Sequence, residues 1–240
     1  MNILITGASR GIGAAALATF QSSGHNAAGH STRGSPGSGS GAGSLIAGDL
    51  ADPAAPPQIW DAALDRLGGR IDVLINNAGI YEAVADDAPD ADWHAAWART
   101  LTINVQAAAD LCRLAVGHFR TNGGGRIVNV ASRAGHRGDS PGHWHYAASK
   151  AALLGITKTI ARGYAADNIL AFAVAPGFTV TEMTEEYLNS RGGAAVLAEI
   201  PLGRVATADE VAEAIRWLAI DAPPAATGSV IDVNGASYVR

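Results

Sequence analysis

The chain has 240 residues, of which 48% are hydrophobic and 16% are charged, and its formal net charge at pH 7 is −5. This composition supplies enough apolar side chains for one large core, and the negative charge argues against nucleic-acid-binding and anionic-membrane-binding proteins. Because Cys112 is the single cysteine and we find neither a secretory leader pattern nor an apolar run of membrane-spanning length, we expect a cytoplasmic protein without internal disulfides.

Short apolar runs alternate with alanine-rich helical stretches along the chain. The predicted strands cover residues 2–6, 25–30, 44–50, 71–79, 126–132, 169–177 and 228–235, and the predicted helices cover 14–24, 57–69, 91–119, 146–165 and 208–219. Strands that alternate with helices pair in parallel through right-handed crossovers. The pattern therefore predicts one α/β domain over residues 1–240, a doubly wound Rossmann-type sheet of about seven mainly parallel strands with helices on both faces.

A glycine-rich turn, TGASRGIG, connects the first predicted strand to the first predicted helix. Glycines let the backbone approach a pyrophosphate, and the helix N-terminus supplies N–H groups and a positive field. Glycines also serve ordinary tight turns, but the position between a strand and a helix favours a dinucleotide site. The residues expected at this site are Gly7, Ser9, Arg10, Gly11, Ile12 and Gly13.

The segment HSTRG follows the second predicted strand, where an NAD enzyme usually carries an acidic residue. No carboxylate occurs there before Asp49, and the segment offers Ser31, Thr32 and Arg33 instead. Hydroxyl and guanidinium groups bind a 2′-phosphate, which a carboxylate would repel. Arg33 and Arg10 could also be solvated surface charges, but together they favour NADP(H) over NAD(H) as the cofactor.

A glycine- and serine-rich stretch at residues 34–44 follows this segment. It has too few apolar side chains to join a core, so it is expected to be a flexible surface loop. A role as a flap beside the bound cofactor is the alternative.

Tyr146 and Lys150 stand four residues apart on a predicted helix, so they share one face. A phenol ionises at about pH 10, and a nearby ammonium group lowers its pKa. Such a tyrosine can exchange a proton with a carbonyl or alcohol oxygen as a general acid or base. Taken alone, a tyrosine–lysine pair at this spacing is also common on solvent-exposed helix surfaces that have no catalytic role.

Three motifs together resemble those of the short-chain dehydrogenase/reductase family: the G-x-x-x-G-x-G spacing of the first turn, NNAG at 76–79 and Y-x-x-x-K at 146–150. The resemblance extends from Thr6 to the GSVIDVNG segment at 228–235. It implies reversible hydride transfer between a nicotinamide and a carbonyl or alcohol.

The resemblance also implies a catalytic set of four residues. Tyr146 would act as the general acid or base, Ser132 would hold the substrate oxygen, and Lys150 would lower the tyrosine pKa and bind the nicotinamide ribose. Asn104 would hold a water that links the lysine to solvent. From the residues alone, Ser132 could be a turn residue at a strand end, and Asn104 a polar residue at a helix kink.

Further cofactor contacts are implied by the same resemblance. Asp49 and Leu50 would flank the adenine ring, although Asp49 could instead cap the following helix. The NNAG turn would form a wall beside the cofactor. The remaining implied contacts are Asn76, Ala78, Gly79, Pro176, Gly177, Thr179 and Thr181.

The implied substrate pocket is rich in aromatic side chains, which indicates a partly apolar substrate. Its residues are Ala134, His136, His143, Trp144, Phe178, Met183 and Tyr187. No metal site is predicted, because the chemistry requires none and histidines in a polar loop usually face water.

Several alternatives remain open beside a general carbonyl reductase. A 3-oxoacyl thioester reductase acting on an acyl-carrier protein is disfavoured by Gly123 and Asp167, which occupy positions where such enzymes tend to be basic. A regulator that binds the dinucleotide without turnover is disfavoured by the complete catalytic set, and an enoyl reductase by the close spacing of Tyr146 and Lys150. The family commonly forms dimers or tetramers, here expected through the helices 91–119 and 146–165.

Overall fold

A computed structural model of the chain describes residues 1–34, 44–180 and 191–240. The strands of this part are β1 (Asn2–Ile5), β2 (Asn26–Ser31), β3 (Ile46–Ala47), β4 (Val73–Asn76), β5 (Gly125–Val130), β6 (Ile169–Pro176), β7 (Thr179–Val180), β8 (Ala206–Thr207) and β9 (Val230–Val233). Its helices are α1 (Gly11–Ser22), α2 (Ala55–Arg66), α3 (Asp90–Leu101), α4 (Ala107–Thr121), α5 (Ala134–Arg137), α6 (Trp144–Tyr164), α7 (Arg191–Ala198) and α8 (Ala208–Ile220).

Seven strands form one sheet in the order β3-β2-β1-β4-β5-β6-β9, and every neighbouring pair is parallel. The order reverses direction between β1 and β4, as expected for a doubly wound sheet. Ligands bind such a sheet in the crevice outside the carboxyl ends of the strands, at this switch point. The predicted α/β fold and its seven-stranded parallel sheet are confirmed.

Two apolar layers cover the sheet because strand residues alternate between its faces. Leu4 of β1 packs with Ile59 of α2 and Leu111 of α4, whereas Ile3 packs with Phe20 of α1 and Ile215 of α8. Among the described helices, none combines the length and the hydropathy that a membrane span requires.

The predicted long helix over residues 91–119 is two helices, α3 and α4, joined by a π-helical turn at Thr102–Gln106. Asn104 lies in this turn and bonds to groups outside the helix, which explains the interruption. The short elements α5, α7, β7 and β8 were not predicted, since two to eight residues carry too little periodicity. Most of the glycine- and serine-rich stretch, residues 35–43, lies outside the described residues.

Candidate active site

The glycine turn between β1 and α1 is packed too closely for side chains. A Cβ atom at Gly13 would lie 2.1 Å from the carbonyl oxygen of Gly7, and one at Gly7 would lie 2.8 Å from the Cα atom of Ala78. Gly7 and Gly11 also have positive φ angles, +67° and +55°. Arg10, in the N-cap position of α1, makes no side-chain capping bond. The turn therefore presents backbone and the start of a helix to its surroundings, which is what a pyrophosphate requires.

A groove of about 370 Å³ runs along this turn and past the ends of β2, β3 and β4. Most of the residues predicted for the cofactor line it: Gly7, Ser9, Arg10, Gly11, Ile12, Gly13, Ser31, Thr32, Asp49, Leu50, Ala78 and Gly79. The groove lies at the carboxyl ends of the strands, and its glycine turn has the shape and polarity that a dinucleotide pyrophosphate needs. The residues present thus fit a bound dinucleotide.

The charged side chains at the β2 end of the groove are available for a ligand. Arg10 and Arg33 are both exposed, and neither forms an ion pair with another described residue. Ser31 is buried and donates to the carbonyl oxygen of Gly34 at 3.1 Å, so its hydroxyl shapes this corner. Asp49 accepts from the backbone N–H of Ala51 at 3.0 Å and does not cap α2.

His30 was missed by sequence reasoning, although it lines the groove. The ring is buried, and its Nδ1 lies 3.4 Å from the backbone nitrogen of Gly7 while its Nε2 lies 2.9 Å from the carbonyl oxygen of Gly48. Burial lowers the pKa of His30, so the ring is neutral near pH 7. A neutral ring that accepts at Nδ1 and donates at Nε2 joins the glycine turn to the segment after β3.

The prediction for Asn76 needs a correction. Asn76 ends β4 with its side chain in the core, where Nδ2 donates to Oδ1 of Asn129 at 2.9 Å and lies 3.2 Å from Sγ of Cys112. Asn77 takes the predicted place beside the groove, and its Nδ2 donates to the carbonyl oxygens of Thr6 and Gly7, each at 3.0 Å. Successive strand residues point to opposite faces, so a shift of one position exchanges core for groove.

Asn104 connects the wall of the groove to the helix that carries the predicted catalytic pair. Its Oδ1 accepts from the backbone N–H of Ile80 at 2.8 Å, and its Nδ2 donates to the carbonyl oxygen of Ile80 at 3.0 Å and to Oγ of Ser149 at 3.1 Å. Ser149 in turn donates to the carbonyl oxygen of Tyr146 at 2.7 Å. Asn104 is thus a structural clamp between the groove wall and α6.

The structure brings Ser132, Tyr146 and Lys150 together at the ends of β5 and α6. The Ser132 side chain acts to lower the pKa of Tyr146, and its Oγ accepts from the backbone N–H of Ala134 at 3.1 Å. The Lys150 ammonium is buried, donates to the carbonyl oxygen of Val130 at 2.9 Å, and lies 5.7 Å from the centre of the Tyr146 ring. A Cβ atom at Gly79 would lie 3.4 Å from that ammonium, so the lysine lies beside the groove wall.

Burial dominates the ionisation of both members of the pair. It raises the pKa of Tyr146 to about 12, against the lowering effect of Ser132, and it lowers the pKa of Lys150 to about 8. The lowered tyrosine pKa expected from the sequence is therefore not what the protein groups alone produce. At neutral pH Tyr146 holds its proton, which is the form that a proton donor needs.

Aromatic residues surround Tyr146. Tyr81, missed by sequence reasoning, stands edge-on to the Tyr146 ring, with 4.7 Å between centroids and 80° between planes. His143 stacks on Tyr81 at 3.9 Å. Trp144 is half exposed and packs edge-on against Trp93. The wall predicted from the sequence is thus extended by the loop after β4.

The remaining predicted pocket residues are divided between the site and other places. Ala134 is buried in α5. His136 stacks on Tyr238 at 5.6 Å with its Nε2 3.9 Å from Oδ1 of Asp232, so its ring is engaged with the C-terminal segment, and its place in the substrate pocket stays a prediction. Phe178 packs beside Val196, Ile200 and Val205.

The segment after β6 forms a tight turn against the C-terminal strand. A Cβ atom at Gly177 would lie 2.8 Å from Cβ of Asn234, and the Gly177 N–H donates to the carbonyl oxygen of Val233 at 3.0 Å. Thr179 is buried and donates to the carbonyl oxygen of Gly177 at 3.2 Å. The predicted residues Thr181, Met183 and Tyr187 lie outside the described residues.

Comparisons with known proteins show that the chain is similar to reductases. A family model described as "Enoyl-(Acyl carrier protein) reductase" matches residues 7–236. The chain is 42% identical over 168 residues to the 3-oxoacyl-[acyl-carrier-protein] reductase FabG of Thermotoga maritima, covering 70% of this chain and 66% of that protein. It is 33% identical over 246 residues to the FabG protein of Vibrio cholerae, covering 98% of this chain and 96% of that protein. It is 32% identical over 258 residues to the acetoacetyl-CoA reductase of Rhizobium meliloti, covering 98% and 97% of the two chains.

Proposed function

Because the chain belongs to the short-chain dehydrogenase/reductase family of oxidoreductases, we propose that it catalyses reversible hydride transfer between NADP(H) and a carbonyl or alcohol group. One observation carries the proposal: the buried Lys150 ammonium lies 5.7 Å from the centre of the Tyr146 ring, whose pKa the Ser132 side chain acts to lower, next to a groove that fits a dinucleotide. A regulator without turnover would need the groove but not this set.

The nicotinamide supplies the hydride for the carbonyl carbon when the cofactor is bound. On the protein side, Ser132 donates a hydrogen bond to the carbonyl oxygen, and Tyr146 gives that oxygen its phenolic proton. The pKa of about 12 keeps Tyr146 protonated until transfer. The Lys150 ammonium then stabilises the phenolate electrostatically across the 5.7 Å to its ring. Alcohol oxidation uses the same groups in reverse.

NADP(H) is favoured over NAD(H) by the charges at the β2 end of the groove. Arg10 lines the groove, and Arg33 follows Thr32, another lining residue; both arginines are exposed. Each guanidinium can bind a 2′-phosphate with two hydrogen bonds. The strand ends in Ser31, without a carboxylate that would oppose the phosphate.

A 3-oxoacyl thioester is a second candidate substrate, favoured by the names of the full-length relatives. Docking of an acidic carrier protein has little support beside α6. Asp167 pairs with Arg120 at 2.8 Å, and Gly123 is an exposed glycine with φ of +82°. Reduction of a carbon–carbon double bond, which the family description names, is disfavoured by the four-residue spacing of Tyr146 and Lys150.

We also propose that the protein is a cytoplasmic homodimer or homotetramer that pairs through the α3–α4 and α6 helices. Light scattering of the purified protein tests the assembly. A monomeric mass would contradict it without affecting the proposed chemistry.

Steady-state kinetics test the proposed function directly. NADPH oxidation at 340 nm would be followed with ketones, 3-oxoacyl thioesters and quinones, with NADH and the Tyr146→Phe variant in parallel. We expect NADPH to be preferred and the variant to lose about 10²- to 10⁴-fold in kcat while still binding NADPH. Turnover that does not depend on Tyr146 would contradict the proposal.

A further inference from the structure

Arg133, the residue after Ser132, carries a buried guanidinium with an unsatisfied hydrogen-bond donor. The residue is 7% exposed, and its Nη1 atom is buried and makes no hydrogen bond. Within the described part of the chain the side chain forms no ion pair. Its backbone N–H donates to the carbonyl oxygen of Pro176 at 2.9 Å, a bond that nearly any residue could make. The buried Nη1 donor therefore has no hydrogen-bonding role among the described residues.

The carboxylates of Glu199 and Asp139 favour the charged form of Arg133 through space, but neither forms an ion pair with it. The guanidinium lies over the Phe178 ring, 4.8 Å from its centre. Glu199 lies 3.4 Å from Arg137, and Asp139 accepts from the Tyr81 hydroxyl at 3.3 Å. Burial and the like charge of Arg137 lower the pKa of Arg133, but an arginine remains charged in proteins at neutral pH.

Arg133 and the reacting hydroxyls face the same surroundings. Tyr81 and Asp139 act electrostatically on both Arg133 and Tyr146. The Tyr81 ring is 4.7 Å from the Tyr146 ring, and Ser132, which precedes Arg133 in the chain, acts to lower the pKa of Tyr146. A group bound by Arg133 would thus lie close to a carbonyl held by Ser132 and Tyr146.

A buried charge without a partner is costly, and it is readily explained where a ligand supplies the opposite charge. A guanidinium presents paired N–H donors that match a planar carboxylate. One cation beside an aromatic ring fits a single negative charge better than the double charge of a phosphate. Resting on the proposed carbonyl chemistry, we propose that Arg133 binds a substrate carboxylate, so that the substrates are oxo acids, or the corresponding hydroxy acids, with the carboxylate a few bonds from the reacting carbon.

Matched substrates test this inference. We would measure kcat/KM with NADPH for oxo acids in which zero to three methylene groups separate the carbonyl from the carboxylate, each beside its methyl ester. The wild type is expected to prefer the best acid over its ester by about 10- to 100-fold, chiefly through KM. No preference for any acid, or a preference for the esters, would overturn the inference.

Variants at Arg133 separate binding from structure. Arg133→Gln is expected to abolish the preference, because it lowers kcat/KM for the acid while kcat/KM for the ester stays within about threefold of the wild-type value. Arg133→Lys is expected to retain part of the preference. Arg137→Gln, a matched loss of one charge four residues further along the chain, is expected to keep the preference. An unchanged preference in Arg133→Gln would contradict the inference. The glutamine variant should fold, because it removes an unpaired buried charge.

A binding measurement makes the inference independent of turnover. Saturation-transfer NMR of the NADPH-loaded protein would compare butyrate with butyramide, which lacks the charge. In the wild type, butyrate should bind about tenfold more tightly than butyramide. In Arg133→Gln, the two ligands should bind equally. Arg133-dependent butyrate binding without any turnover would refute the proposed function alone. Turnover that depends on Tyr146, with equal binding of charged and uncharged ligands, would refute the carboxylate site alone.

Discussion

The side-chain amide of Asn104 lies 3.1 Å from the hydroxyl oxygen of Ser149, which donates to the carbonyl oxygen of Tyr146 at 2.7 Å. The same amide makes two bonds to the backbone of Ile80. One residue in a π-helical turn therefore fixes the distance between the groove wall and the catalytic helix. This arrangement makes Asn104 a positioning residue for both cofactor and tyrosine.

Replacement of Asn104 by alanine is expected to raise KM for NADPH and to lower kcat about tenfold, since the wall and the helix lose their connection. It should also lower the free energy of unfolding by about 1–3 kcal/mol, because the part-buried Ile80 backbone groups lose their partners. Gln106→Ala, in the same turn but exposed, should change neither. Kinetics and urea denaturation of both variants check this, and equal effects of the two would contradict the clamp.

The lowered pKa of Lys150 predicts how stability depends on pH. The folded-state pKa is about 8, against the ordinary value of 10.5, so the unfolded chain binds more protons between these values and stability rises with pH in that window. Relative to Lys150→Met, the wild type should gain about 2–3 kcal/mol of unfolding free energy between pH 7 and pH 10. Urea denaturation across this range measures the difference, and a flat difference would mean that the lysine pKa is not lowered.

The close packing of the glycine turn predicts different outcomes for two alanine substitutions. Gly13→Ala would place a Cβ atom 2.1 Å from the Gly7 oxygen, so the turn must move. We expect it to raise KM for NADPH at least tenfold and to destabilise the fold by about 1–3 kcal/mol. In α6, a Cβ atom at Gly163 meets nothing within 4 Å, so Gly163→Ala should bind NADPH normally and change stability by at most about 1 kcal/mol. Fluorescence titration and thermal unfolding compare the two, and normal NADPH binding by Gly13→Ala would contradict this account of the turn.

Charge at the β2 end of the groove predicts cofactor preference. Arg10→Ala and Arg33→Ala should each weaken the binding of NADPH by about tenfold, because each removes a charge-assisted contact to the 2′-phosphate. NADH lacks that phosphate, so its KM should hold within about twofold. Affinities for both cofactors check the prediction, and parallel losses would show that the arginines act on a shared part of the dinucleotide.

Sequence patterns predicted the strands of the main sheet and the first strand–turn–helix unit. The seven parallel strands and the strand–turn–helix around Gly7 follow from apolar periodicity and glycine placement. The assignment of Asn76 failed because a motif does not show which of two adjacent asparagines ends the strand inside the core. The motif located the turn correctly along the chain, but the Asn76 side chain points to the core and not to the groove.

Residues brought in by tertiary packing carried no sequence signal. Tyr81 reaches Tyr146 because the loop after β4 folds back over α6, and His30 reaches Gly7 through the pairing of β1 with β2. The direction of the Tyr146 pKa shift depends on burial, which outweighs the lowering effect of Ser132. The sequence alone does not distinguish Arg133 from other loop arginines, because neither its burial nor its unbonded Nη1 atom can be read from it.

The position of the transferred hydride tests the central claim most directly. NADPH deuterated at C4 of the nicotinamide would be turned over by the wild type and by Tyr146→Phe, and the product analysed by mass spectrometry and NMR. Hydride transfer to a carbonyl predicts one deuterium on the carbinol carbon, formed by the wild type and reduced at least about 10²-fold in the variant. Deuterium on a carbon of a former carbon–carbon double bond, or undiminished labelling in Tyr146→Phe, would contradict carbonyl reduction with Tyr146 as the proton donor.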